Sequence, residues 1–100
     1  GVSIGIVKMD GSLRTRGSAA YQRGAWAEAE RLFQAAITRE EDPEALAVLH
    51  SNRAAALMQL RRWPAALEEA EAATALKPGW AKAWARRAAC LRAIPGREAE

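Results

Sequence analysis

His50-Ser51-Asn52-Arg53-Ala54-Ala55-Ala56-Leu57 is answered 34 residues later by Trp84-Ala85-Arg86-Arg87-Ala88-Ala89-Cys90-Leu91. An earlier copy begins at Leu13 and runs through Gly17 to Ala20, so that Leu13, His50 and Trp84 occupy matching places. Gly17, Ala54 and Ala88 match in the same way, as do Ala20, Leu57 and Leu91, and Trp26 with Trp63. The first two copies are offset by 37 residues, and the three extra residues fall in the linker from Glu40 to Ala45. Self-similarity at a period in this range marks a stacked repeat, in which each unit buries its apolar face only against a neighbour.

Within each copy the apolar and small residues recur at helical spacing, with turn residues between the blocks. The first block, Leu13 to Arg23, is closed by Gly24. Trp26, Ala29, Phe33, Ala36 and Ile37 form one stripe of a second helix, predicted from Trp26 to Arg39. Asp42-Pro43-Glu44 supplies an N-cap, a proline at the first helical position and a first-turn carboxylate, and so starts a third helix that reaches Leu60. Trp63-Pro64 opens a fourth with the stripe Ala66, Leu67, Ala70, Ala73 and Leu76, ended by Lys77-Pro78-Gly79. A fifth runs from Trp80 to Ala93 and stops at Pro95-Gly96. Alanine doublets and triplets fill these segments, and β-branched residues are scarce after residue 10, so the fold class is all-α, with five helices.

The composition narrows the function classes. Net charge is +3, with Arg14, Arg16, Lys82, Arg86, Arg87 and Arg92 concentrated in two stretches, which points to an anionic partner. No helix-turn-helix, finger or aromatic-basic sheet motif accompanies that charge, so nucleic acid is not the expected partner. One cysteine, Cys90, cannot form an internal disulfide and reads as a small buried apolar residue. No segment approaches the roughly 20 apolar residues of a membrane span. Gly1 to Val7 is apolar but short and lacks a preceding basic region, so residues 1–12 read as an N-terminal extension without an assigned function.

With its period of 34 residues, the pattern resembles the tetratricopeptide repeat family. The residues that carry the resemblance are Gly17-x-x-Ala20 with Ala29-x-x-x-Phe33, then Ala66-x-x-x-Ala70 with Pro78, then Trp84-x-x-Arg87-Ala88-x-x-Leu91. The resemblance covers residues 13–100 and implies a right-handed superhelix of antiparallel helix-turn-helix units, about two and a half repeats, with boundaries near 13–46, 47–80 and 81–100. The first unit lacks the expected terminal proline, and the third ends early. Its face at Trp84 and Leu91 is therefore expected to lack a cover, which leaves room for self-association through that unfinished unit.

In this family the first helix of each unit lines the concave face. Arg14 and Ser18 are spaced i,i+4, as are Lys82 and Arg86, and each pair shares one helical face. With Asn52 they make five polar residues that stacking would converge on one groove, chemically matched to paired carboxylates. Ser51-Asn52-Arg53-Ala54-Ala55 and the run Lys77 to Ala88 resemble the carboxylate-clamp subset of co-chaperone repeats. The resemblance implies binding of the acidic Glu-Glu-Val-Asp tails of the seventy- and ninety-kilodalton heat-shock chaperones, in the cytoplasm. Arg14, Ser18 and Asn52 would hold the terminal carboxylate, and Lys82 and Arg86 the aspartate side chain or a neighbouring group. Tyr21, Ala55, Met58 and Gln59 would line the adjoining pocket for apolar peptide side chains. Two positions depart from the subset: Arg14 stands for a lysine, and Ser18 for an asparagine, its hydroxyl able to donate one hydrogen bond but shorter than the amide, with room for a bridging water.

The remaining polar residues have plainer readings. Trp26 and Trp63 sit at equivalent interhelix positions and read as packing. His50 has no ligand set at metal spacing and reads as surface or inter-repeat packing, and no metal or cofactor is expected. Ser18, Ser51 and Thr74 have no histidine placed to activate them, and no glycine-rich phosphate loop exists, so no enzyme activity is expected within these residues. Glu28, Glu30, Glu68, Glu69 and Glu71 read as solvated faces of the second helices. Besides tail binding, two alternatives remain: a scaffold segment that binds an internal helix or another subunit of a larger assembly, and a module that targets an enzyme in the same polypeptide.

Overall fold

The computed structural model describes residues 13–96, and all regular structure among them is helical. Helix α1 covers 13–22, α2 Trp26–Ile37, α3 Pro43–Gln59, α4 Trp63–Leu76 and α5 Ala81–Ala93. The reading of 1–12 as an extension lies outside the described residues.

Local chemistry sets the helix ends. Asp42 caps α3, its carboxylate accepting from the Ala45 amide at 3.0 Å with Pro43 just inside the helix. Four helices are one or two residues shorter than their patterns, α1 ending at 22 and α3 at Gln59. Helix α2 stops at Ile37 rather than Arg39, where the Thr38 hydroxyl donates to the Ala35 carbonyl and diverts the last turn. Helix α5 begins at Ala81, with Trp80 in extended geometry as its cap. The turns after α1, α3 and α5 each contain a residue in the left-handed region: Gly24 at φ 80°, Arg61 at φ 60° and Gly96 at φ 85°. Glycine takes this conformation without a Cβ penalty, whereas Arg61 accepts strain of about 1 kcal/mol.

Consecutive helices pack antiparallel in chain order, α2 on α3, α3 on α4 and α4 on α5, with a smaller contact between α3 and α5. This is the arrangement of a tetratricopeptide-like helical repeat. Two apolar clusters run along it. The first joins Ala20, Ala29, Phe33, Ala36, Leu49 and Ala56, and the second joins Leu57, Ala66, Leu67, Cys90 and Leu91. Gly17 makes the first possible, since a Cβ there would lie 2.7 Å from the Phe33 ring. The repeat-equivalent pair is Ala54 and Ala70, both fully buried, so a large ring against no side chain is replaced by two methyl groups.

Three sequence expectations change. Leu91 is not left uncovered: it is buried against Leu57 and Leu67, and Trp84 alone of that pair stays exposed, at 44%. The Trp84 indole is tied down, donating to the Pro78 carbonyl at 2.7 Å beneath the Arg87 guanidinium. Leu76, placed in the α4 stripe by its spacing, is exposed because it is the last residue of the helix, past the α3 surface that covers Ala73.

The glutamates of α2 and α4 are the third change. Glu30 and Glu69 are not a solvated face, since both side chains are mostly buried and both hold Arg53 of α3. The guanidinium reaches Glu30 at 2.6 Å and Glu69 at 3.1 Å, bridging α2 to α4 across α3. His50 joins from one turn earlier, its Nδ1 3.0 Å from Glu69 Oε1, and because a carboxylate only accepts, Nδ1 carries the proton. Burial disfavours the Arg53 charge, but the hydrogen bond to Glu30 and the charge of Glu69 outweigh it and raise its pKa. Burial likewise pushes the Glu69 carboxyl up, and the His50 hydrogen bond with the Arg53 charge brings it below its ordinary value. Glu71 pairs with Arg87 at 3.3 Å and Glu28 with Arg23 at 3.2 Å, while Glu68 is exposed as expected.

Candidate functional site

A groove of about 160 Å³ opens between α1, α3 and α5, lined by Ser18, Tyr21, Gln22, Phe33, Asn52, Ala55 and Arg86. Its construction follows from the repeat. Ser18, Asn52 and Arg86 stand on the first, third and fifth helices and face a common space once those helices lie side by side. Phe33, only 2% exposed, closes the floor of the groove and packs closely against Gly17. Tyr21 forms a wall, held edge-on by Trp26 with ring centroids 4.9 Å apart.

Arg86 is the chemical centre of the groove. Its Nε donates to the Ser51 hydroxyl at 2.8 Å, and no carboxylate pairs with it among the described residues. With no carboxylate partner among the described residues, the half-buried guanidinium keeps its Nη donors available to an incoming carboxylate. Asn52 adds an amide with both donor and acceptor capacity, and Ser18 a hydroxyl. Arg14 and Lys82 lie outside the lining, exposed on α1 and α5 one turn before Ser18 and Arg86, and they too have no carboxylate partner among the described residues. They reach the groove only by extending over its rim.

The expected apolar pocket divides. Tyr21 and Ala55 line the groove, whereas Met58 packs on the second cluster, beside Leu57 and Leu91. Gln59 is exposed, with its amide 3.5 Å from the Tyr21 hydroxyl at the groove edge. Sequence reasoning missed three residues: Gln22, Phe33 and Ser51. Gln22 follows Ser18 at i+4 and carried a helical-face signal. Phe33 sits in the core stripe that its spacing predicts, and it lines the groove as well. Among the described residues no group of three or more histidine, cysteine or acidic side chains could hold a metal ion, and no helix is long and apolar enough to cross a membrane. The Cys90 thiol is buried, and burial raises its pKa above the ordinary value.

No family model matches the chain. Two characterised proteins do. The chain is 41% identical over 73 residues to the Hsp70-Hsp90 organizing protein of Triticum aestivum, which is 73% of this chain and 12% of that protein. It is 34% identical over 82 residues to the heat shock protein sti1 homolog of Schizosaccharomyces pombe, 82% of this chain and 13% of that protein. The chain therefore spans about an eighth of each relative's length, and the likeness concerns one segment of much longer proteins.

Proposed function

We propose that this chain is a peptide-binding module that takes the acidic C-terminal tail of a heat-shock chaperone of the 70 or 90 kDa class, in the cytoplasm, through a carboxylate clamp. The observation that carries the reading is Arg86, a guanidinium with no carboxylate partner among the described residues, in a groove beside Asn52 and Ser18. Similarity to a protein named as organizing Hsp70 and Hsp90 supports the choice of partner. In this reading Arg14, Ser18 and Asn52 hold the terminal carboxylate. Lys82 and Arg86 hold the aspartate side chain or a neighbouring acidic group, and Tyr21, Gln22 and Ala55 accept the adjoining side chains. Repeat boundaries near 13–46, 47–80 and 81–100 belong to the same proposal.

A short peptide gives a small contact area and loses much freedom on binding, so micromolar affinity is expected. Calorimetric titration with a peptide ending in Glu-Glu-Val-Asp tests the reading. Arg86→Ala and Asn52→Ala should each remove most of the binding, while Trp84→Ala should leave it unchanged. The exposed Trp84 favours a second reading, a scaffold segment that docks a helix on α5, and that reading predicts the reverse dependence.

A further inference from the structure

We infer that Ser51 is a positioning residue for the groove, fixing the Arg86 guanidinium so that its Nη edge is presented to an incoming carboxylate; this rests on the proposed peptide-binding function. Ser51 is fully buried in α3, an unusual place for a hydroxyl among Leu49, Ala54, Ala55 and Ala56. A buried serine in a helix ordinarily returns its hydroxyl to the preceding turn. Here the Oγ instead accepts the Arg86 Nε–H at 2.8 Å, across from α3 to α5. That bond occupies the one guanidinium donor on the stem side and spends no carboxylate on it. The contrast with Arg53 gives this meaning: carboxylates take up the Arg53 Nε and both amino groups, so its charge is consumed. The neutral hydroxyl orients the Arg86 fork and leaves its charge whole.

An arginine has long stem torsions, and an unrestrained fork would lose more freedom on binding a carboxylate. A serine hydroxyl at Nε removes that motion beforehand, as outer partners do for groups that must meet a ligand in one geometry. The position is sensitive to size, since Ser51 has no exposed surface into which a larger side chain could expand. It is also the residue before Asn52, so one turn of α3 supplies both a direct groove donor and the anchor for the cation opposite.

The test is a cycle of Ser51→Ala and Arg86→Ala in the 100-residue chain, titrated with a Glu-Glu-Val-Asp peptide and followed by thermal unfolding. Ser51→Ala alone should weaken peptide binding roughly 3- to 10-fold, the scale of ordering one long side chain on binding, with the folded helical signal intact. In the Arg86→Ala background the same change should add nothing. A ligand-free reading accompanies it: the Arg86 Nε–H resonance should exchange slowly in the unaltered protein and faster after Ser51→Ala. Full-strength binding by Ser51→Ala, or an equal loss in both backgrounds, overturns the role of Ser51 alone. Failure of the unaltered protein to bind the peptide overturns the proposed function and this role with it, while the exchange reading still reports whether Ser51 holds the guanidinium.

Discussion

Arg53 and Arg86 are both half-buried arginines on neighbouring inner helices, yet they live in opposite electrostatic surroundings. Arg53 is clamped between Glu30 and Glu69, with His50 steadying the second carboxylate, and the cluster ties α2, α3 and α4 together. Arg86 donates to the neutral Ser51, has no carboxylate partner among the described residues, and faces an open groove. A cation that the fold has already neutralised holds helices; one that the fold leaves unneutralised, in the same kind of position, is kept for something outside the chain. The difference lies in what the adjoining helices present, glutamates around α3 at Arg53 and small or polar side chains at Arg86.

Exchanging the two arginines for alanine should separate these roles most sharply. Arg53→Ala strands two largely buried carboxylates and should cost about 2–4 kcal/mol of stability in urea unfolding, reduced from the fully buried case by the residual exposure of the pair. Arg86→Ala should cost under about 1 kcal/mol, because Ser51 can turn its hydroxyl back to its own helix. Equal losses for the two would break the comparison.

Gly17→Ala addresses the floor of the groove. A methyl 2.7 Å from the Phe33 ring forces a buried aromatic to shift, and the gain in helix propensity offsets only part of that, so a net loss of about 1–2 kcal/mol is expected. Unfolding measured alongside tail binding should show both fall together.

Acid should loosen the network around Arg53. Glu69 has a folded pKa below its ordinary value of 4.5, so its contribution is complete above that pH and is lost as the pH falls through the lower folded value. Glu69→Gln should flatten the decline of stability below about pH 4.5. A variant as steep as the original would remove Glu69 from the account. The smallest effect is expected at the strained turn, where Arg61→Gly should stabilise the chain by about 0.5–1 kcal/mol in thermal unfolding.

The fold was legible because it is periodic. Offsets of 34 and 37 residues, the Asp42-Pro43-Glu44 start and the Pro78-Gly79 break mark five helices in the sequence, and the differences lie at helix ends, such as the one set by the Thr38 to Ala35 hydrogen bond. The groove was legible where it depends on one face per helix, at Ser18, Asn52 and Arg86. It was not legible where it depends on which helices meet. Glu30 and Glu69 look like surface residues until Arg53 is seen between them, Met58 turns to the second cluster because α3 has covered sides on both flanks, and Ser51 becomes informative only when α5 brings Arg86 to it.

The central claim is that the groove lined by Ser18, Asn52 and Arg86 recognises a peptide by its free C-terminal carboxylate, and one pair of titrations tests it most directly. Calorimetry with a peptide ending in Glu-Glu-Val-Asp, as the free acid and as the C-terminal amide, should give micromolar binding for the acid and binding at least about tenfold weaker for the amide, the scale of a lost charge-assisted hydrogen bond. Equal affinity for the two forms, or no heat from either, would contradict it.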